Sequence, residues 1–313
     1  MMKILCRLVL LACLTLTAAC RQRHESMGKP YTVKLTGNDR KSLEMMENRL
    51  TLTFADMLPQ KERLFEVETI SNAKRTRWSR TVIVVETDAK RYQSTTLTCR
   101  RNRWAQPQIE LKVTTPSAAH LQHFLQRHGR KVVALLDDFE LRQWMEQLHR
   151  KHEKKVREQA IATFGHSILV SPELNSFKTG KNFLWTTSPN GDATMNTCLY
   201  SYPATRLDAA QLLRQRDSIM KQNIPGEQPG MYMQTETSCT PLVHTFHIRG
   251  REVLQVKGLW SMYGDIMGGP FVCHAFMDTA SYRVIVGEGF VFAPGHRKRN
   301  YIKQLEAMLL TME

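Results

Sequence analysis

The chain has 313 residues, 42% of them hydrophobic and 23% charged, with a formal net charge of +15. That is ample for a sizeable core, as one large domain or two lobes, and neither an internal repeat nor a low-complexity segment interrupts it. Beyond the first twenty residues no stretch approaches the roughly eighteen uninterrupted apolar residues of a membrane span, and the excess of cations favours anionic partners.

In chain order, Lys3 and Arg7 form a short basic head, Leu8 to Leu16 an apolar run, and "TAAC" a small-residue end at Cys20. This is the layout of a secretory signal over residues 1–19, with an apolar run too short to serve as a stable anchor. Cys20 resembles the lipobox of bacterial lipoproteins, in which that Cys is acylated and becomes the new N-terminus. Thr17 departs from the pattern, which favours Leu three places before the Cys. The alternative is ordinary cleavage after Ala19, leaving a thiol.

Residues 20–30, with "RQRHESMGK" (Arg21 to Lys29), read as the lipidated Cys and a polar tether reaching about 30 Å if extended. It has no run of acidic residues, so the expected location is the cell envelope, lipid-anchored and facing the periplasm. Loss of Lys3 and Arg7 with the signal leaves the mature chain near +13. In that compartment the anionic partners are phospholipid, glycolipid or glycan rather than nucleic acid. Cys99, Cys198, Cys239 and Cys273 remain; an oxidising compartment permits disulfides, but strand-like surroundings favour free thiols.

An N-terminal α/β lobe spans 31–163. "YTVKLTG", "LFEVETI", "RTVIVVET" and "PQIELKVTT" read as strands. A helix carries Leu43, Met46 and Leu50, a second starts at a Ser117 cap, and a third runs from about Asp138 to Ala162. Asp137 and Asp138 read as caps of that third helix. A strand-rich α+β lobe spans 164–313, with candidate strands "SILVS", "NFLWTTS", "NTCLYSYP", "PLVHTFHI", "EVLQVKGLWSMY", "PFVCHAFMD" and "YRVIVGEGFVFA", and helices over 207–222 and 297–312. The expected fold class is α+β, with mixed and antiparallel sheets covered by helices.

The segment "GDIMGGP" reads as a hairpin connection, with an anion-binding nest helped by Asp265 or His274 as the alternative. His120, His123 and His128 share a helical face, but no carboxylate or Cys nearby completes a metal set, so no metal or other cofactor is expected. Asp265, His274 and Glu288 are the acid and base candidates were the protein a hydrolase or transferase acting on envelope glycan or lipid. No Gly-x-Ser-x-Gly elbow, phosphate-binding P-loop or dinucleotide fingerprint occurs.

Two basic-aromatic clusters, "KRTRWSR" (Lys74 to Arg80) and "CRRNRW" (Cys99 to Trp104), read as loops suited to a membrane or glycan surface, or simply to solubility. His296, Arg297, Lys298 and Arg299 crowd a helix start, where cations oppose the macrodipole unless an anion is bound. Glu288 or Asp265 could supply that anion instead.

"IPGEQPGMYMQTE", "VKGLWSMYGDIMGGPFV" and "GFVFAPGHRKRNYIKQLEAML" resemble the family catalogued as domain of unknown function 4837, envelope lipoproteins of the Bacteroidota. "PYTVKLTG", "LPQ", "RTVIVV", "WAQPQ", "FLW" and "RQRDSIMKQNIPG" extend the resemblance over nearly the whole mature chain. Lys257 stands where the family pattern has Arg. The resemblance implies no activity. It points to Arg216, Asp217, Trp260, Gly268, Gly269 and Pro270 as motif positions, for which structural roles serve equally well. The expectation is a membrane-anchored envelope module, non-enzymatic, presenting a basic surface to an anionic ligand or a partner protein.

Overall fold

The computed structural model describes residues 24–188, 191 and 193–313. The signal segment and Cys20 lie outside the described residues.

The N-terminal half is a five-stranded sheet with helices on one face. Its elements are β1 (His24–Glu25), β2 (Thr32–Gly37), α1 (Arg40–Thr51), β3 (Glu66–Thr69), β4 (Thr81–Thr87), β5 (Thr96–Arg101), β6 (Ala105–Gln106), β7 (Ile109–Thr115) and α2 (Ala118–Arg150). The sheet runs β3-β2-β4-β7-β5, parallel except for β5, while β1 and β6 pair separately. Alternation sets its faces: Val33, Leu35, Ile83, Val85, Leu111 and Val113 point into the core with Met46 and Leu50 of α1 and Leu121, Val132 and Leu136 of α2. Asp39 caps α1 by accepting the Ser42 N–H at 2.8 Å.

The C-terminal half is antiparallel. It contains α3 (Lys154–Phe164), β8 (Ser176–Gly180), β9 (Phe183–Thr187), β10 (Thr194–Pro203), α4 (Ala209–Asn223), β11 (Tyr232–Thr235), β12 (Leu242–Ile248), β13 (Arg251–Tyr263), β14 (Gly268–Asp278), β15 (Arg283–Phe292) and α5 (Arg299–Leu309). Eight strands follow the order β11-β13-β14-β15-β10-β9-β8, with β12 also on β13. Both faces are covered. Residues of α3 and α5 join one cluster with Val272, Phe276, Ile285 and Val291, and Leu212 and Met220 of α4 join another with Cys273, Ala275 and Val286.

The fold is α+β, as the strand and helix patterns indicate. Several details depart from those patterns. Helix α2 is one element of 33 residues, so Asp137 and Asp138 lie mid-helix and cap nothing. Asp137 instead accepts from Tyr31 and Lys303, and Asp138 from Arg142. A break at 151–153 precedes α3, whose Val156, Ala160 and Phe164 pack with the C-terminal sheet. "SILVS" is buried but outside the sheet; Ser167 exchanges backbone bonds with Glu313 at 3.0 and 3.1 Å. Within residues 20–30, expected as a tether, β1 pairs with β6 and Met27 bridges Ser79.

Candidate functional site

The motif segments around Met220, Met233, Trp260 and Phe290 meet on one face of the large sheet, while α5 lies on the other. At the centre of the first face Arg216, on α4, and Glu288, on β15, are both fully buried. Arg216 Nη2 and Nε donate to Glu288 Oε1 at 2.7 and 3.1 Å. Tyr200 and Cys273 donate to the other carboxylate oxygen at 3.1 and 3.3 Å. Arg216 Nη1 reaches Asp217 and Thr235 at 3.1 and 3.0 Å, and the guanidinium lies 3.9 Å from the centre of the Phe271 ring. Burial works against the charge on Arg216, but Glu288 overrides it and holds the pKa above the usual arginine value. Burial, then Glu288, pushes the Cys273 thiol up, which makes it a poor nucleophile.

On the same face opens a groove of about 790 Å³ lined by Trp185, Trp260, Met262, Met267, Phe290 and Phe292, with Asn196 and Glu227 among its polar groups. Trp260 sits edge-on to Phe290 at 5.6 Å and donates from its indole to the Val291 carbonyl at 3.2 Å. Trp185 donates to Asn196 at 3.0 Å, which orients its ring. Glycine is required beneath. A Cβ on Gly269 would lie 2.0 Å from the Val291 oxygen, and one on Gly268 2.8 Å from the Trp260 oxygen. Neither has positive φ; in this hairpin that falls to Gly264, at +84°. "GGP" is therefore strand, and the turn is 264–267.

The three acid and base candidates are not assembled. Cys273 is the partner of Glu288 across β14 and β15, so His274 projects to the opposite face. Asp265 is exposed at the hairpin tip. His274 accepts from Gln255 Nε2 at 2.8 Å, and Gln255 also donates to Glu306 at 3.1 Å. Burial lowers the His274 pKa to about 4, so the ring is neutral near pH 7.

Around it lies a charged cluster that sequence reading missed. Lys257 and Lys303 each approach Glu306 at 3.2 Å, and Lys303 reaches Asp137 of α2 at 2.8 Å. Burial alone would raise the Glu306 pKa, but Lys303 and Lys257 hold it well below the carboxylate range. The available signal was Lys303 and Glu306 falling on the apolar stripe of the last helix.

The basic helix start divides. Glu62 is the anion there: its carboxylate accepts the Lys298 and Arg299 N–H groups at 2.7 and 3.0 Å, a role neither Glu288 nor Asp265 fills. Arg299 is buried and donates to the Arg63 and Leu64 carbonyls, both at 3.0 Å. Arg297 stays exposed and pairs with Glu66 at 2.7 Å, and Lys298 Nζ bonds the His296 carbonyl at 3.0 Å.

His120, His123 and His128 border an open depression on α2, and His120 bonds Ser117 at 2.9 Å. Among the described residues no group of three ligating side chains could hold a metal ion. There the four remaining cysteines are unpaired.

The family model described as domain of unknown function (DUF4837) matches residues 152–311. The chain belongs to that family. DUF4837 covers the C-terminal half, with the groove and the Arg216–Glu288 pair, rather than nearly the whole mature chain. A second domain of unknown function (DUF8532) matches residues 26–149, so "YTVKLTG", "RTVIVV" and "WAQPQ" fall under it. No curated protein matches the chain. A crystal structure from Bacteroides thetaiotaomicron VPI-5482 at 1.50 Å resolution is 13% identical over 47% of this chain, with a TM-score of 0.26. The chain spans 44% of that protein, and a likeness of this size carries no argument.

Proposed function

We propose that the protein is an envelope lipoprotein, anchored through Cys20 on the periplasmic side of a membrane, that binds its ligand rather than transforming it. One observation carries the binding half of this reading: the DUF4837 motif segments meet in an open aromatic groove, while Glu288 and His274 are committed to internal partners on opposite faces of the sheet. The groove's volume is in the range of ligand sites. Its rings suit the apolar faces of sugars, its methionines suit acyl groups, and the net positive charge of the chain suits phosphate. We take the ligand class to be an acidic envelope glycolipid or glycan whose charged group meets basic surface outside the groove, since the charged lining residue there is Glu227.

The test titrates purified protein with a short-chain phosphorylated glycolipid, following tryptophan fluorescence and, by mass spectrometry, the fate of the ligand. Saturable binding without turnover is expected. Trp185→Ala should weaken it about 10-fold, the scale of one lost aromatic contact. Time-dependent loss of the glycolipid would instead establish the hydrolase or transferase alternative, and unchanged affinity in Trp185→Ala would remove the groove from consideration.

A further inference from the structure

The two basic-aromatic clusters, separate in sequence, form one surface. Strands β2, β3, β4 and β7 are parallel and begin at the same end of the sheet, and β5, antiparallel, finishes there. Lys74 to Trp78 precede β4, and Arg103 and Trp104 follow β5, so both clusters lie along that edge. The buried side chain of Gln108 fastens them together. Its amide donates to the Arg77 and Ser79 carbonyls at 2.7 and 2.8 Å, while its oxygen accepts the Trp104 N–H at 3.0 Å.

Trp104 then stands with the Arg77 and Arg103 guanidinium carbons 4.4 and 4.8 Å from its ring centre. The two indoles remain open, Trp78 at 45% and Trp104 at 38% exposure. Arg103 pairs with Glu110 at 2.8 Å, whereas Lys74, Arg75 and Arg77 form no ion pair among the described residues.

The N-terminal segment ends on this same edge. His24 lies 5.0 Å from Trp78, ring centre to ring centre, and the Met27 N–H donates to the Trp78 carbonyl at 2.7 Å. Cys20 is four residues before His24, so its Cα could stand no more than about 14 Å from that of His24. Indoles among guanidinium groups are the side chains that settle at a bilayer interface, the rings at headgroup level and the cations against phosphate.

From this arrangement we infer that the edge carrying Lys74, Arg75, Arg77, Trp78, Arg103 and Trp104 docks on an anionic phospholipid bilayer and fixes the orientation of the anchored protein. The inference rests on the anchored reading for the nearness of Cys20 alone; the surface itself needs no acyl group.

The test uses the chain from Arg21, which keeps every described element and carries no lipid. It is sedimented with phosphatidylglycerol-containing vesicles and with pure phosphatidylcholine vesicles. Preference for the anionic vesicles is expected, with a blue-shifted tryptophan emission. Each basic residue near a charged surface contributes about 5-fold, so Lys74→Glu with Arg75→Glu should lower the partition coefficient by well over 10-fold. Trp78→Ala should abolish part of the blue shift without altering the melting temperature. Lys154→Glu with Lys155→Glu, an equal charge change at two exposed positions of α3, should retain most of the binding. Equal losses from the two double variants would overturn the inference, as would binding that Lys74→Glu with Arg75→Glu leaves unchanged. Neither result touches the anchor, which the state of Cys20 tests separately.

Discussion

Arg216 and Glu288 are both fully buried, so each depends on the other to offset its charge. Removing one partner of such a pair typically costs about 3–5 kcal/mol, because an uncompensated charge stays buried. Glu288→Gln should therefore lower the urea midpoint by an amount corresponding to that range. Arg216→Met combined with Glu288→Leu should recover most of it, since two apolar groups of similar volume need no partner.

His274 gives a pH dependence of definite sign. Its folded pKa of about 4 lies below the ordinary histidine value of 6.5, so between those values the unfolded chain takes up a proton that the folded chain refuses. The contribution is complete above pH 6.5 and declines as pH falls towards 4. At about 1.4 kcal/mol per unit, roughly 2 kcal/mol is lost by pH 5. The groups facing the ring are Glu306 from α5, Lys257 and Gln255 from β13, and through Glu306 also Lys303. The depressed carboxyl of Glu306 adds a further loss of the same sign at lower pH. Denaturant titrations at pH 7 and pH 5 should show the decline, and His274→Gln should flatten it above pH 5.

Among the elements, the β13–β14 hairpin depends on backbone proximity. Gly269→Ala would press a methyl into the Val291 carbonyl, and an overpacked site of this kind costs about 3 kcal/mol. Gly250→Ala has open space around it and a φ of +76°, so about 1 kcal/mol is expected. Thermal melts of the two variants should rank in that order. Glu62→Ala uncovers the start of α5 and should lower stability by about 1 kcal/mol.

Elements with a clean period were legible: β2, β4, β7 and the long antiparallel strands announced themselves by β-branched alternation, and α4 and α5 by apolar spacing. Legibility failed where tertiary contacts decide. Helix α2 reads as two because polar residues surround Gly129, yet that glycine admits the Arg49 side chain, which lies 2.6 Å from where a Cβ would be. "SILVS" has strand composition but takes its partner from the last residue of the chain. β5 hides within a basic cluster because its exposed side chains are selected for something other than burial.

The site was half legible. Motif resemblance pointed to Arg216, Trp260 and the glycines, but not to the Glu288 that completes the buried pair. The clusters at Trp78 and Trp104 were visible, but their meeting through Gln108 was not.

At the scale of the molecule, α5 holds the two halves together. It packs on the large sheet, reaches α2 through Lys303 and Asp137, and is capped by Glu62 from the N-terminal half. With the halves so joined, an edge held against a bilayer would fix the direction in which the groove opens. None of the described helices is long and apolar enough to cross a membrane.

On the proposed reading, the anchor would turn a basic edge and an aromatic groove into a surface-held receptor for envelope ligands. Intact-mass measurement of the protein isolated from its native host tests it most directly. The account predicts a chain that begins at Cys20, carries the added mass of diacylglycerol and acyl groups, and partitions with membranes. An unmodified thiol at Cys20, or a chain recovered in the cytosol, would contradict it.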